Sequence, residues 1–252
     1  MDQSSSLAGK KALITGASSG IGRAIAVALA KNGCSLALLA RRSARLEELS
    51  NQLKSQTVAI TFAQTDLADS KATAEAIADT ASTLGGFDIV INAAGVGRQA
   101  KLIDGDFEDW KTMLDINVLA LALVTKESLP HFPDSGGHIV NISSMSGHRV
   151  PGKGGFYAAT KFAVRAITEG LRQELRATGN QTRVSSISPG FVDTELLDAY
   201  FESSDDSESN YDRIGYPILQ PEDIAELVIH QLTMPPHAEV TDILVRPTAQ
   251  AT

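Results

Sequence analysis

The stretch Lys11-Ala12-Leu13-Ile14-Thr15-Gly16-Ala17-Ser18-Ser19-Gly20-Ile21-Gly22 decides the fold. A short apolar run, Lys11 to Ile14, ends in a turn holding three glycines. Ile21, Ile25, Ala28 and Leu29 then recur at helical spacing until Asn32-Gly33 stops them. The segment reads as strand, tight turn, helix. Glycines in such a turn let the backbone approach a pyrophosphate, and the helix N-terminus adds free N–H groups and a positive dipole end. Gly16, Ser18, Ser19, Gly20, Ile21 and Gly22 are therefore candidate dinucleotide contacts. The spacing is G-x-x-x-G-x-G rather than G-x-G-x-x-G, and a glycine-rich turn without a ligand is the competing reading.

The same rhythm continues outward. Apolar strands are predicted at Ser35–Ala40, Thr57–Phe62, Phe87–Ile91, Gly137–Ile142, Val184–Ile187 and Asp242–Val245. Between them the spacing predicts a helix capped by Ser43 and running to about Ser55. Further helices are predicted over Ser70–Leu84, over Phe107–Leu129 and over Tyr157–Thr178. Strands alternating with helices, and apolar on both faces, predict an α/β fold. The expected architecture is one Rossmann domain spanning 1–252, a doubly wound seven-stranded parallel sheet with helices on both faces, ordered 3-2-1-4-5-6 over its first six strands.

Composition sets outer limits. The 252 residues carry 22 Lys plus Arg and 30 Asp plus Glu, a formal net charge of −8, which argues against a nucleic-acid surface. One cysteine, Cys34, excludes an intramolecular disulfide and a cysteine-based zinc site. No apolar run approaches the ~20 residues of a membrane span. The first six residues have neither the basic nor the apolar region of a secretory signal. A cytoplasmic protein with no membrane association is expected. No G-x-S-x-G pentapeptide supports a hydrolase, and the five histidines form no metal-binding pair. Glu202 to Asp212 holds five carboxylates and no Lys or Arg, more than half of the net charge. It reads as a solvated insertion or, within a substrate loop at about 191–217, as a lid.

Specific residues then point to chemistry. Strand two ends in Arg41-Arg42 with no acid, and two guanidinium groups there suit a ribose 2′-phosphate, favouring NADP(H) over NAD. Exposed arginines paired with Glu47 or Glu48 are the alternative. Asp66, followed by Leu67, sits where it can meet an adenine amino group or cap the next helix. Tyr157 and Lys161, four apart, share a helix face. At about 4 Å and an effective dielectric near 20, an ammonium attracts a phenolate by ~4 kcal/mol. That is enough to bring a phenol from ~10 to about 7 and to make it an acid–base group. Phe156, Leu196, Leu197, Tyr200 and Phe201 favour an apolar carbonyl substrate, or else pack a loop onto the core. His148 is either at the substrate mouth or in a loop hydrogen bond.

Taken together, T-G-A-S-S-G-I-G at 15–22, Asn92-Ala93-Ala94-Gly95, Asn117, Ser144, Tyr157-Ala158-Ala159-Thr160-Lys161 and Pro189-Gly190 resemble the short-chain dehydrogenase/reductase family over nearly the whole chain. The resemblance implies that Ser144 orients the substrate oxygen and Tyr157 passes the proton. It implies that Lys161 lowers the tyrosine pKa and holds the nicotinamide ribose, and that Asn117 anchors a relay water. Asn92, Ala93, Ala94, Gly95, Pro189, Gly190, Val192 and Thr194 become cofactor contacts by the same resemblance. Ala93 stands where the family often has a second Asn, and Ser19 stands where many NADPH members have a base. Ser144 to Val150, Thr168 to Leu175 and Asp242 to Thr248 narrow the resemblance to one cytosolic, NADPH-preferring subgroup, associated with reduction of steroid 3- and 17-ketones and small dicarbonyls. The function expected is an NADPH-dependent carbonyl reductase or alcohol dehydrogenase acting on a small carbonyl or alcohol. The resemblance also suggests a homotetramer or homodimer built on the long helices. An NAD-linked alcohol or sugar dehydrogenase and a non-catalytic NADP(H) sensor are the alternatives.

Overall fold

A computed structural model of the chain describes residues 7–152, 154–201 and 214–251. The acidic stretch Glu202 to Asp212 lies outside the described residues. The strands are β1 (Lys11–Thr15), β2 (Ser35–Ala40), β3 (Ile60–Gln64), β4 (Ile89–Asn92), β5 (His138–Ile142), β6 (Arg183–Pro189) and β7 (Asp242–Val245). They form one sheet in the order β3-β2-β1-β4-β5-β6-β7, every pair parallel. The expected sheet is therefore found, with β7 added beyond β6.

The pleat explains how the sheet buries both faces. Successive residues of β1 point oppositely, so Leu13 joins one apolar core and Ile14 the other. Ile14 packs with Ile25 and Leu29 of α1 (Gly20–Lys31), with Leu46, Leu49 and Leu53 of α2 (Ser43–Leu53), and with Ile224 and Val228 near the carboxyl end. Leu13 packs on the other face with Ile77 of α3 (Ser70–Leu84), Val124 and Leu175. The chain winds from β1 toward β3, returns at β4 and proceeds the other way. The crevice outside the ends of β1 and β4 is the switch point where such sheets take ligands.

Four local expectations are corrected. Ser43 does not cap α2; it is the first helical residue, and Arg42 occupies the cap with its guanidinium turned elsewhere. β3 begins at Ile60 rather than Thr57, because a 3-10 turn at Lys54–Gln56 leaves Thr57 at φ 57°, a left-handed conformation incompatible with a strand. The long helix is not uniform. It comprises α4 (Phe107–Leu114), a π-helical turn over Asp115–Ala120, α5 (Leu121–Ser128) and a 3-10 turn at Leu129–His131. The sixth strand continues to Pro189 instead of ending at Ile187. The next helix is α6 (Gly155–Ala177), followed, among the described residues, by two helices not predicted above, α7 (Glu195–Phe201) and α8 (Pro221–Thr233). The latter carries a legible start: Pro221 opens it, and Gln220 and Asp223 form a reciprocal capping box. Among the described residues, no helix is long and apolar enough to cross a membrane.

Candidate active site

The first strand's turn is fixed by its neighbour. The Thr15 hydroxyl accepts hydrogen bonds from the Ala93 and Ala94 amides, each at 3.2 Å, tying the end of β1 to the exit of β4. Gly16 has φ +67°, and a Cβ there would lie 2.8 Å from the Ala94 Cα, so two backbones meet where no side chain fits. Ser19 caps α1 in backbone conformation only; its hydroxyl makes no bond to the helix, and the first turn has no acidic residue. The amides at this helix start are thus left to a ligand, and the dipole favours an anion.

Arg42 spans the next part of the crevice. Its Nη2 donates to the hydroxyls of Ser19 (2.6 Å) and Ser18 (3.1 Å), and its Nη1 pairs with Glu195 at 2.7 Å. Arg45 pairs with the other oxygen of Glu195. The partner is therefore Glu195, at the start of α7, rather than Glu47 or Glu48. Among the described residues the exposed Arg41 side chain has no hydrogen-bond or ion-pair partner. Asp66 accepts from the Ala68 amide at 3.1 Å, while the cap of α3 is Asp69, so the helix-capping reading of Asp66 is corrected. Asp66 and Leu67 line the cavity, as does Thr65, whose buried hydroxyl has no partner among the described residues. Two guanidinium groups, two serine hydroxyls and a free helix start form a donor set that fits a phosphorylated dinucleotide.

At the other end, β5 and α6 bring Ser144, Tyr157 and Lys161 to one wall of the cavity. Ser144 precedes a 3-10 turn (Met145–Gly147), its hydroxyl accepting from the Ser146 amide at 3.1 Å. Tyr157 and Lys161 sit one turn apart on the buried face of α6. Lys161 Nζ donates to the Ile142 carbonyl at 3.0 Å and lies 5.8 Å from the centre of the Tyr157 ring. Burial pushes the Tyr157 phenol up to about 12; the Ser144 hydroxyl beside it offsets part of that rise, and Tyr200 adds to it. Burial lowers Lys161 to about 8. The expectation of a phenol drawn down toward 7 is thus corrected. It assumed an ammonium at about 4 Å, whereas Lys161 is turned toward Ile142 and desolvation dominates.

Asn117 sits in the π turn, 1% exposed. Its amide nitrogen donates to the Val96 carbonyl (2.9 Å) and the Thr160 hydroxyl (3.0 Å), and its oxygen accepts from the Val96 amide (2.8 Å). Both amide hydrogens are committed, so the side chain clamps the exit of β4 to α6. Asn92 is not in the cavity wall: its amide donates to Thr125 and Asn141 beneath it. Ala93, Ala94, Gly95, Pro189, Gly190, Val192 and Thr194 line the wall together with the 16–22 turn, Ser144, Tyr157 and Lys161.

The cavity has a volume of about 560 Å³. Leu196, Leu197, Tyr200 and Phe201 of α7 line it, but Phe156 does not; its ring stacks on Trp110 at 5.3 Å. Tyr200 meets the Tyr157 ring edge-on at 5.7 Å. His148 is in a loop hydrogen bond, with Ser188 at 3.0 Å and Asp242 at 3.1 Å. Gln250 and Arg149 are both in the wall; Arg149 falls in the Ser144 to Val150 stretch without a role of its own, and Gln250 has no sequence signal. Gln250 accepts from the Phe191 amide at 3.2 Å, returning the carboxyl-terminal segment to the site. No motif signals a contact of that separation.

Comparison with known proteins agrees with this geometry. The family model described as short chain dehydrogenase matches residues 10–205. The chain is 41% identical over 249 residues to bovine (Bos taurus) Dehydrogenase/reductase SDR family member 11, covering 96% of this chain and 97% of that protein. It resembles the closed form of a serine dehydrogenase complexed with NADP+ (TM-score 0.88, 31% identity, 96% of each chain covered). It also resembles an alcohol dehydrogenase from Thermococcus sibiricus complexed with 5-hydroxy-NADP (TM-score 0.86, 29% identity, 96% of this chain and 98% of that one). A glycine turn against the sheet's switch point, a Ser144–Tyr157–Lys161 cluster and a match over most of the sequence converge: the chain belongs to the short-chain dehydrogenase/reductase family of oxidoreductases.

Proposed function

We propose that the chain is an NADPH-dependent carbonyl reductase acting on ketones or aldehydes, working as one NADP(H)-binding unit whose substrate end is lined by residues of 191–201. The observation that carries this reading is the placement of Arg41 and Arg42 at one end of a single cavity and of Ser144, Tyr157 and Lys161 at the other. Solved relatives complexed with NADP+ or an NADP derivative support the cofactor assignment. Arg41, Arg42, Ser18 and Ser19 would hold the 2′-phosphate, the start of α1 the pyrophosphate, and Asp66 with Leu67 the adenine. Bound there, a reduced nicotinamide supplies hydride to the carbonyl carbon.

The chain's own residues handle the oxygen. Ser144 donates a hydrogen bond to it. Tyr157, with its phenol pushed up to about 12, is protonated at neutral pH, the form that donates. As the carbon–oxygen double bond becomes an alkoxide, the Tyr157 proton passes to oxygen and Ser144 stabilises the charge developing there. Lys161 uses one donor on Ile142 and has two left for ribose hydroxyls and for the phenolate that forms. Asn117 holds Val96 and Thr160 in place, and a relay water would meet a group other than its amide hydrogens. The apolar walls from Leu196, Tyr200 and Phe201 exclude water and fit an apolar carbonyl body.

Exposed Phe107, Leu114, Leu119 and Phe162 on the long helices support assembly as a homodimer or homotetramer. A cytoplasmic location accords with the composition. The deciding experiment follows NADPH and NADH oxidation with a neutral small dicarbonyl and a 3-ketosteroid. NADPH-dependent consumption of either supports the proposal; NADPH binding without consumption of any carbonyl compound, or equal use of NADH, contradicts it.

A further inference from the structure

Arg149 is a charged residue of the cavity wall to which the reaction described above gives no work. It follows the Ser144 turn, held against it by a hydrogen bond from its amide to the Met145 carbonyl at 3.2 Å. The residue is half-buried; its Nε is buried and, among the described residues, has no hydrogen-bond partner, and no ion pair engages its guanidinium. A guanidinium stays charged at every pH the protein meets, and a buried N–H on it without an acceptor is costly. Native proteins leave few such groups, and those that remain call for a physical reason.

Apart from Arg41, assigned above to the ribose 2′-phosphate at the far end, the other charged groups of the wall are already engaged. Glu195 is held by Arg42 and Arg45, and Asp66 accepts from Ala68. Arg98 donates to the Gly97 carbonyl at 3.1 Å and lies 3.9 Å from Asp109. Lys161 donates to Ile142. Arg149 therefore stands beside the Ser144–Tyr157 end as a positive group without an anion among the described residues, in a wall that includes Met145, Pro151, Leu196 and Tyr200. Apolar surroundings strengthen a charge pair, and the planar guanidinium fork matches a carboxylate with two parallel bonds.

From this we infer that the substrate is an oxo acid: an apolar carbonyl compound whose carboxylate is held by Arg149 while its ketone lies at Ser144 and Tyr157. The inference rests on the reductase reading and narrows it. Arg149 is a specificity-determining residue, positioned to select the substrate rather than to move a proton.

The test uses three aryl oxo acids of increasing spacing, benzoylformate, benzoylacetate and 4-oxo-4-phenylbutanoate, each against its methyl ester, with NADPH. At least one acid is expected to exceed its ester in kcat/KM by tenfold or more, about 1.4 kcal/mol. Arg149→Gln is expected to lower that acid-to-ester ratio at least tenfold, mainly by raising KM for the acid, and Arg149→Lys to restore part of it. The tightness of NADPH binding by each variant reports that it is folded. Equal kcat/KM for every acid and ester, or an unchanged ratio in Arg149→Gln, overturns the inference. Binding of 4-phenylbutanoate, which has no ketone, to the NADPH-loaded protein separates the two readings. Calorimetric binding that Arg149→Gln abolishes supports the anion site even if no carbonyl is reduced, whereas no binding to the wild type overturns it.

Discussion

Replacing Arg42 by alanine tests the cofactor assignment through numbers the geometry supplies. A charge-assisted bond from Arg42 to a 2′-phosphate contributes roughly 1.5–3 kcal/mol. Arg42 is already paired with Glu195, and both side chains are about half exposed, at 41% and 50%. Such a pair is worth about 0–1 kcal/mol and must be given up when the phosphate binds. The net contribution is about 0.5–3 kcal/mol, so Arg42→Ala should reduce the NADPH-over-NADH preference by about 2- to 150-fold. Some preference should remain, because Arg41 is uncommitted. Glu195→Gln, which frees Arg42 before the cofactor arrives, should tighten NADPH binding by up to about fivefold and barely change NADH. The assay is the Kd of each cofactor from nicotinamide fluorescence at fixed ionic strength. An Arg42→Ala variant that weakens NADPH and NADH equally would refute the reasoning, since the guanidinium would then not read the phosphate.

Further predictions concern the parts that build the site. Gly16→Ala forces a side chain into φ +67° and against the Ala94 backbone, so it should cost about 2–3 kcal/mol and lower Tm by roughly 5–10 °C; a Tm within a degree of wild type would show that the turn relaxes. Asn117→Ala leaves the Val96 amide and carbonyl without their partner and should destabilise by about 2–3 kcal/mol in urea unfolding, with kcat falling further than that loss of folded protein explains. His138 is buried on β5, and desolvation lowers it from 6.5 to about 3. The unfolded chain therefore takes up a proton below pH 6.5 that the native state refuses, and stability falls from pH 6.5 toward 3 by at most about 1.4 kcal/mol per pH unit. His138→Gln should flatten that acid limb in a Tm-against-pH series, and an unchanged slope would remove His138 as its cause.

Much of the fold was legible because it is written in local pattern. Apolar strands and glycine stops mark β1, β2, β4 and β5 closely, and the parallel order follows from the alternation. What was not legible depends on contacts between distant segments. Asn117 is recognisable as a motif residue, but the π turn that carries it follows from a clamp to Val96 and Thr160 that no helical periodicity encodes. The cap position of Arg42 likewise reflects Glu195, 153 residues away. α7 is short and rich in both acidic and aromatic residues, so its pattern is weak, whereas Gln220, Pro221 and Asp223 mark the start of α8 locally. The tyrosine pKa shows the same limit. Spacing places Lys161 beside Tyr157 on a helix face, but the direction of its ammonium and the degree of burial are tertiary facts. Arg149 lies inside the Ser144 to Val150 stretch but with no role attached to it there, and Gln250 carries no motif at all.

The central claim is that the Tyr157 proton completes the reduction of a carbonyl in this cavity. Single-turnover reduction by the NADPH-loaded protein, compared between wild type and Tyr157→Phe alongside NADPH binding to each, tests it most directly. A loss of at least about a thousandfold in rate, with NADPH still bound, is the predicted result. A Tyr157→Phe protein that reduces the same carbonyl within about tenfold of wild type would contradict the account.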